Sequence, residues 1–228
     1  QPSTASSKST TRIRVPSSGK PTPTTSSPLS GAGTKRWNQS TRSEKVWTKA
    51  HEMAFHAEAS PHLSLALTLA LWTGQRQGDL LRLPWSAYNG DSIRLRQSKT
   101  KLAIEVPVGA PLREALQEAR DRYEAEGLPI PETIPATERG SAWTEGGFRA
   151  SWRKACIKAG VTGVTFHDLR GTAVTRLAVA GATVPEIATI TGHKLKEVGS
   201  ILDAHYMNRD RALGEAAIRK LEANDSPK

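Results

Sequence analysis

Most of the chain carries apolar residues at helical spacing, and two short stretches alternate polar and apolar positions instead. HLSLALTLALW at 62–72 is apolar nearly all round, which predicts a helix buried on every side, with Gly74 as a natural left-handed stop. LREALQEARDRYEAE at 112–126 keeps its apolar residues on one face, the pattern of an amphipathic helix. Thr41 with Glu44 reads as a capping box for a helix reaching about Ser60. Further helices are predicted from about Gln77 to Leu83, closed by Pro84, and from about Trp143 to Ala159, ending at Gly160. Thr165 caps a helix to Ala180 with Asp168 at its third position, and Thr183 with Glu186 boxes another that ends near Gly192. Two last helical stretches cover about 196–207 and 210–223. SIRLRQ at 92–97 and LAIEV at 102–106 alternate as strands do, and SKTK at 98–101 fits the turn between them. The layout is mainly α with one small antiparallel β-hairpin, an α+β class without internal repeats.

Composition divides the chain. Residues 1–40 are rich in Ser, Thr, Pro, Gly and Lys/Arg and hold almost no large apolar side chain, so they cannot offset the entropy of ordering. They read as a disordered basic tail or linker, and 41–224 as one catalytic-size domain. The formal net charge is +10, which suits an anionic partner. Seven of the 32 basic residues precede the first acidic one, Glu44, leaving 25 against 22 acidic over the rest. The folded part is thus only mildly basic, and its charge alone does not argue for nucleic acid. The tail's charge has two readings, an arm on a polyanion or a solvated tail.

Several classes are set aside. One cysteine, Cys156, cannot form an internal disulfide, which fits a reducing, cytoplasmic setting. The longest apolar run, Leu63 to Trp72, is too short for a bilayer, and no charged-then-apolar leader opens the chain, so no membrane partner is expected. The histidines at 51, 56 and 62 lack an i, i+4 pair, and no carboxylate cluster accompanies His167. No Walker loop or GxSxG occurs. No metal and no cofactor are expected.

Two segments concentrate chemistry. In TFHDLRGT at 165–172, His167 and Arg170 stand three residues apart in the first turn of a helix and share a face with its free N–H groups. That is a good phosphate receptor, although an isolated HxxR is also an ordinary solvated cap. In TGQRQGDLLRL at 73–83, Arg76 directly follows the end of the buried helix. Its planar fork can hold two phosphate oxygens, or it can pair with Asp79, three positions on.

TGQRQGDLLRL, QSKTK, TFHDLRGTA, TGHK and a late AHYM occur in this order over about 43–220. Together they resemble the catalytic domain of the tyrosine recombinase (phage integrase) family. The resemblance implies that fold and a DNA strand-transferase working through a 3′-phosphotyrosyl link. It implies Arg76 and Arg170 as phosphate-gripping arginines, His193 as a further phosphate ligand, and His167 as proton acceptor or positioning group for the nucleophile. It implies Lys99 as the acid that protonates the leaving 5′ oxygen, with Lys101 as the alternative if the turn is shifted. Asp79 stands where the family often has Glu, and the shorter acid can still buttress an arginine. Tyr206 is the implied nucleophile; of Tyr88, Tyr123 and Tyr206, only it follows the HxxR segment. The thirteen-residue step from His193 exceeds the usual family gap by about one helical turn, expected near Gly199.

The implied partners are double-stranded DNA and further copies of the chain, a tetramer on DNA and a monomer in solution. The helix at 210–223 either docks on a neighbouring copy or folds back on its own domain. Two other activities share the fold: a catalytically silent DNA-binding protein, and strand relaxation as in type IB topoisomerases.

Overall fold

The computed structural model describes residues 45–206 and 211–225. The tail over 1–40 and the Thr41–Glu44 box lie outside the described residues. The first helix, α1 (Lys49–Glu58), begins later than its apolar pattern suggests, with Thr48 and His51 as its capping box. Tertiary docking explains the delay. Trp47 is buried, its amide donates to Thr172 Oγ1 at 3.0 Å, and its indole N–H donates to Thr165 O at 2.8 Å. The segment entering α1 is held extended by these distant partners.

The apolar helix α2 (Pro61–Thr73) is buried between α1, α4 (Ala110–Ala125) and α6 (Asp168–Val179), and ends at Gly74 with φ 63°. The short helix α3 (Gln77–Leu80) stops sooner than predicted. There Leu83 pairs with Ile134 and a 3-10 turn starts at Trp85, whose amide is taken by Glu132 O at 3.1 Å. Strands β1 (Ser92–Arg96) and β2 (Ala103–Pro107) form the antiparallel hairpin, in register from Ser92↔Pro107 to Arg96↔Ala103. The loop between them is closed by Gln97 N–H to Leu102 O and Lys101 N–H to Gln97 O, each 2.9 Å. Lys101 has φ 57°, so it sits in the turn as a left-handed residue and does not extend a strand toward Lys99.

Helix α5 (Glu145–Lys158) begins at the cap Thr144, because the Trp143 indole is already engaged with Ala136 O at 2.8 Å. Thr165 and Asp168 do pair, through Thr165 N–H and Oγ1 to Asp168 Oδ2 at 2.8 Å each, but they brace a turn ahead of α6. His167 therefore takes the cap position of α6. The Thr183–Glu186 box opens α7 (Val184–Thr191) as predicted, and Gly192 ends it with φ 66°. Helices α8 (Leu195–Tyr206) and α9 (Arg211–Asp225) follow. Helix α9 packs on α6 of its own chain, and Lys220 Nζ donates to Gly181 O. Of the two arrangements expected for this segment, the described one is the fold-back.

Two apolar clusters organise the molecule. The larger joins α2 leucines to an aromatic group of Trp47, Phe55, Phe148, Trp152 and Phe166, with ring centroids 4.3–5.7 Å apart. The smaller holds Val174, Ala178, Ile187 and Val198. Helix α6 enters the first through Leu169 and the second through Val174, so Arg170 falls at their boundary. No described helix is long and apolar enough to cross a membrane.

Trp47→Ala removes the indole hydrogen bond to Thr165 O and a core ring, while the backbone N–H that donates to Thr172 Oγ1 is retained. A loss of about 3–5 kcal/mol is expected in urea denaturation followed by tryptophan emission. A loss below about 1 kcal/mol would contradict this placement.

Candidate active site

Helices α2 and α7 both end in a left-handed glycine, and their last carbonyls converge on one cation. Arg170 is 5% exposed, and its Nη1 donates to Thr191 O at 2.8 Å and to Gly74 O. Helix C-termini carry partial negative charge and unsatisfied carbonyls, so a guanidinium is a natural partner for two of them. Close packing seals the junction: a Cβ on Gly74 would lie 2.7 Å from Thr191 Cγ2. Burial, with Arg76 nearby, lowers the Arg170 pKa to about 10, which still leaves it cationic at neutral pH. Its Nη2 is buried without a partner.

Arg76 caps α3, and its Nη1 donates to Gln97 Oε1 at 3.1 Å. Gln97 is 0% exposed and makes four side-chain hydrogen bonds. Besides Arg76, its Oε1 accepts from Thr100 Oγ1 at 2.7 Å. Its Nε2 donates to Gln75 Oε1 at 2.8 Å and Thr191 O at 3.0 Å. The Gln75 amide in turn donates to Thr73 O at 2.8 Å and Ile190 O at 3.1 Å. The end carbonyls of both helices are thus satisfied by Arg170, Gln75 and Gln97. Gly192 is required here, since a Cβ would stand 2.4 Å from Gln97 Nε2.

His193 follows Gly192, and its Nδ1 lies 2.8 Å from Thr191 Oγ1. The threonine hydroxyl donates to Ile187 O at 2.7 Å. Its proton is thereby committed, so Nδ1–H of the neutral ring donates to the threonine oxygen and Nε2 keeps the lone pair. Burial first, then Arg170, Arg76 and His167, lower the His193 pKa to about 4, against an upward pull from Glu197. These shared fields bring Arg76, Arg170, His167 and His193 into one electropositive neighbourhood.

Asp79 is buried, but its direct partners are Ser98 N–H at 2.9 Å and Arg82 Nη2 at 3.6 Å, while its charge acts on Arg170 through the field. It braces the hairpin turn. Lys99 stands exposed in that turn, between Ser98, held by Asp79, and Thr100, held by Gln97. Lys101 is exposed too, with its backbone N–H and C=O both engaged, the latter by Arg96 Nε at 3.0 Å. Tyr206 ends α8, and its side chain lies outside the described residues. The extra turn expected near Gly199 is accommodated by continuing α8 as one unbroken helix. Among the described residues no group of His, Cys, Asp and Glu is placed to hold a metal ion.

Sequence reasoning missed Gln75, Gln97, Thr191 and Glu197. A polar residue at the end of an apolar helix, Gln75, and one at the base of a turn, Gln97, were the available signals; nothing local marks Thr191.

The family model described as the phage integrase family matches residues 44–209. The chain belongs to the phage integrase family. Among relatives of this integrase-family chain, the shufflon-specific DNA recombinase of Escherichia coli is 29% identical over 145 residues, covering 61% of this chain and 34% of that protein. The integrase of Escherichia phage lambda is 32% identical over 126 residues, covering 50% and 34%. The chain therefore spans about a third of the length of these relatives. A solved lambda integrase dimer bound to a COC′ core site matches at TM-score 0.58 and 27% identity, over 74% of this chain and 61% of that one. The XerA recombinase matches in fold alone, with TM-score 0.61 and 20% identity over 80% and 65%. The mostly helical tyrosine recombinase catalytic fold is the fold seen here.

A folded-state His193 pKa of about 4, below the ordinary 6.5, means that the unfolded chain takes up this proton first as pH falls. This contribution to stability is full above 6.5 and is lost between 6.5 and about 4. His193→Gln should flatten that part of the stability–pH curve. An imidazole NMR midpoint near 6.5 in the native chain would contradict the environment described.

Proposed function

We propose that this chain cuts and rejoins double-stranded DNA at specific sites through a 3′-phosphotyrosyl intermediate. The observation that carries the reading is the unpartnered Nη2 of buried Arg170, beside Arg76 and His193, in a site built to receive an anion. Membership of the integrase family supplies the nature of that anion, the scissile phosphate. Arg170 and Arg76 hold its non-bridging oxygens. Nε2 of His193 carries a lone pair in the neutral ring, so donating to a phosphate oxygen requires a proton from solution. The charge of that oxygen favours the uptake that Arg170 and Arg76 oppose.

Tyr206 attacks phosphorus through Oη. The P–O bond to tyrosine forms as the P–O5′ bond breaks. A tyrosine hydroxyl titrates near 10 in water, so it needs the cationic surroundings and His167 to accept its proton. Lys99 gives a proton to the departing 5′ oxygen. A 5′-hydroxyl of a second strand reverses the step, and the bond energy kept in the phosphotyrosyl link removes the need for ATP. Asp79 supports this arrangement from beneath the Lys99 turn. Lys99 is favoured over Lys101 because its neighbours on both sides are tied to the arginine-bearing network. The solved lambda integrase assemblies include a tetramer bound to a Holliday junction. The same assembly, two duplexes and four copies, is proposed for this chain on DNA.

A nicked suicide duplex that loses its 5′-hydroxyl fragment tests the reading. The native chain should accumulate a covalent protein–DNA complex and Tyr206→Phe none. Arg170→Ala should slow trapping by about 100-fold to 1,000-fold, the usual loss of one electrostatic donor. No complex with the native chain on a duplex shown to bind would refute the proposal. Between the lysines, Lys99→Ala should lose cleavage. Lys101→Gly should keep it and relieve about 1 kcal/mol of left-handed strain; the reverse pattern would assign the acid to Lys101.

A further inference from the structure

We infer that Gln97 is a positioning residue for catalysis: its carboxamide locks the Lys99 turn to Arg76, so that leaving-group protonation and phosphate binding are set by one buried hydrogen-bond junction. The inference rests on the proposed strand-transfer reaction. A carboxamide has two N–H donors and an oxygen with two lone pairs, and all four capacities of Gln97 are used. The two acceptor bonds are the informative pair. One goes to the Arg76 guanidinium at 3.1 Å and the other to the hydroxyl of Thr100, the residue after Lys99, at 2.7 Å. The donor bonds, to Gln75 Oε1 and Thr191 O, fix which way the amide faces. A reversed amide would set N–H groups against the Arg76 guanidinium.

The backbone of Gln97 also closes the loop at both ends, through Leu102 O and Lys101 N–H. One buried residue thus ties together the chain after α2, the turn after β1 and the last residue of α7. Gly192 leaves the space that this amide fills. An exposed lysine on a free turn would sample many positions. Tying the turn through Thr100 restricts that sampling relative to the phosphate held by Arg76.

The test compares an oxygen-linked suicide duplex with the same duplex carrying sulfur at the 5′ bridging position. A thiolate leaves without a proton, since thiols titrate near 8.5, so the sulfur substrate bypasses the Lys99 turn. Thr100 is exposed, so Thr100→Val removes only the tether and leaves the core intact. On the oxygen substrate, Thr100→Val should slow covalent trapping about tenfold and Gln97→Leu about 100-fold. On sulfur, Thr100→Val should come within about threefold of native, and the Gln97→Leu defect should shrink at least about tenfold. Equal slowing on both substrates, or no slowing by Thr100→Val on oxygen, would overturn the inference.

Amide hydrogen exchange over 98–101 reads the tether without any reaction. Both variants should speed exchange at Lys101, and unchanged exchange would overturn the inference on its own. If the native chain traps neither substrate, the reaction assignment fails, and the exchange result still decides whether Gln97 holds the turn.

Discussion

The rest of the site depends on one buried guanidinium set against the carboxyl ends of two helices. Placing Arg170 at 5% exposure costs desolvation, visible in its pKa lowered to about 10. Two carbonyls with partial negative charge offset that cost, Gly74 O after α2 and Thr191 O at the end of α7. The exchange is mutual: Arg170 satisfies Gly74 O and shares Thr191 O with the Gln97 amide in a closely packed place. The arrangement holds the helix ends together and leaves Nη2 buried without a partner, the donor that the proposed function assigns to the phosphate. A fully satisfied arginine would have made a firmer junction and a poorer receptor.

From this cation the electrostatics of the neighbourhood follow. His193 is kept neutral by burial and by the arginines, and Thr191 fixes which of its nitrogens bears hydrogen. Low dielectric strengthens each of these interactions and makes each unpaired group more costly. Gln75 and Gln97 prevent such costs by absorbing the leftover carbonyls and orienting Arg76. A half-satisfied version of the same network would be less stable than an apolar core of equal volume. The two glycines belong to this account for a steric reason: Cβ atoms at 74 and 192 would strike Thr191 and Gln97.

Elements carried by strong local signals were legible in the sequence. The apolar run of α2, the alternation of the hairpin and the Thr183–Glu186 box all appear where the pattern puts them. Boundaries set by distant contacts were not. The start of α1 is decided by Trp47 reaching Thr165 and Thr172, more than a hundred residues away in the chain. The Thr165 brace likewise displaces the first residue of α6. For the site, charged residues in ordered motifs were visible, because arginines and histidines at rigid helix ends stand out chemically. The uncharged members stood out less, Gln75 and Gln97 only by their places at a helix end and a turn base and Thr191 not at all, and the charged Glu197 was missed with them. Gln97 and Thr191 act through geometry across β1 and α7, and no local spacing encodes that.

The proposed receptor and α8, the helix that ends at the proposed nucleophile Tyr206, rest on different apolar clusters joined by α6 and α7. Arg76, Arg170 and the Lys99 turn are fixed by hydrogen bonds among segments flanking the larger apolar cluster. Helix α8 is held by the smaller one, through Val198 with Ile201 and Leu202 packed against it. Tyr206 lies one turn beyond Leu202 in the same helix. Helix α6 is common to both anchors, carrying Leu169 into one cluster and Val174 into the other with Arg170 between them, and so is α7, whose Ile187 lies in the smaller cluster and whose Thr191 O holds Arg170 and Gln97. A change in the packing of Val198 would therefore act on α8 directly and would reach the proposed phosphate receptor through α6 and α7.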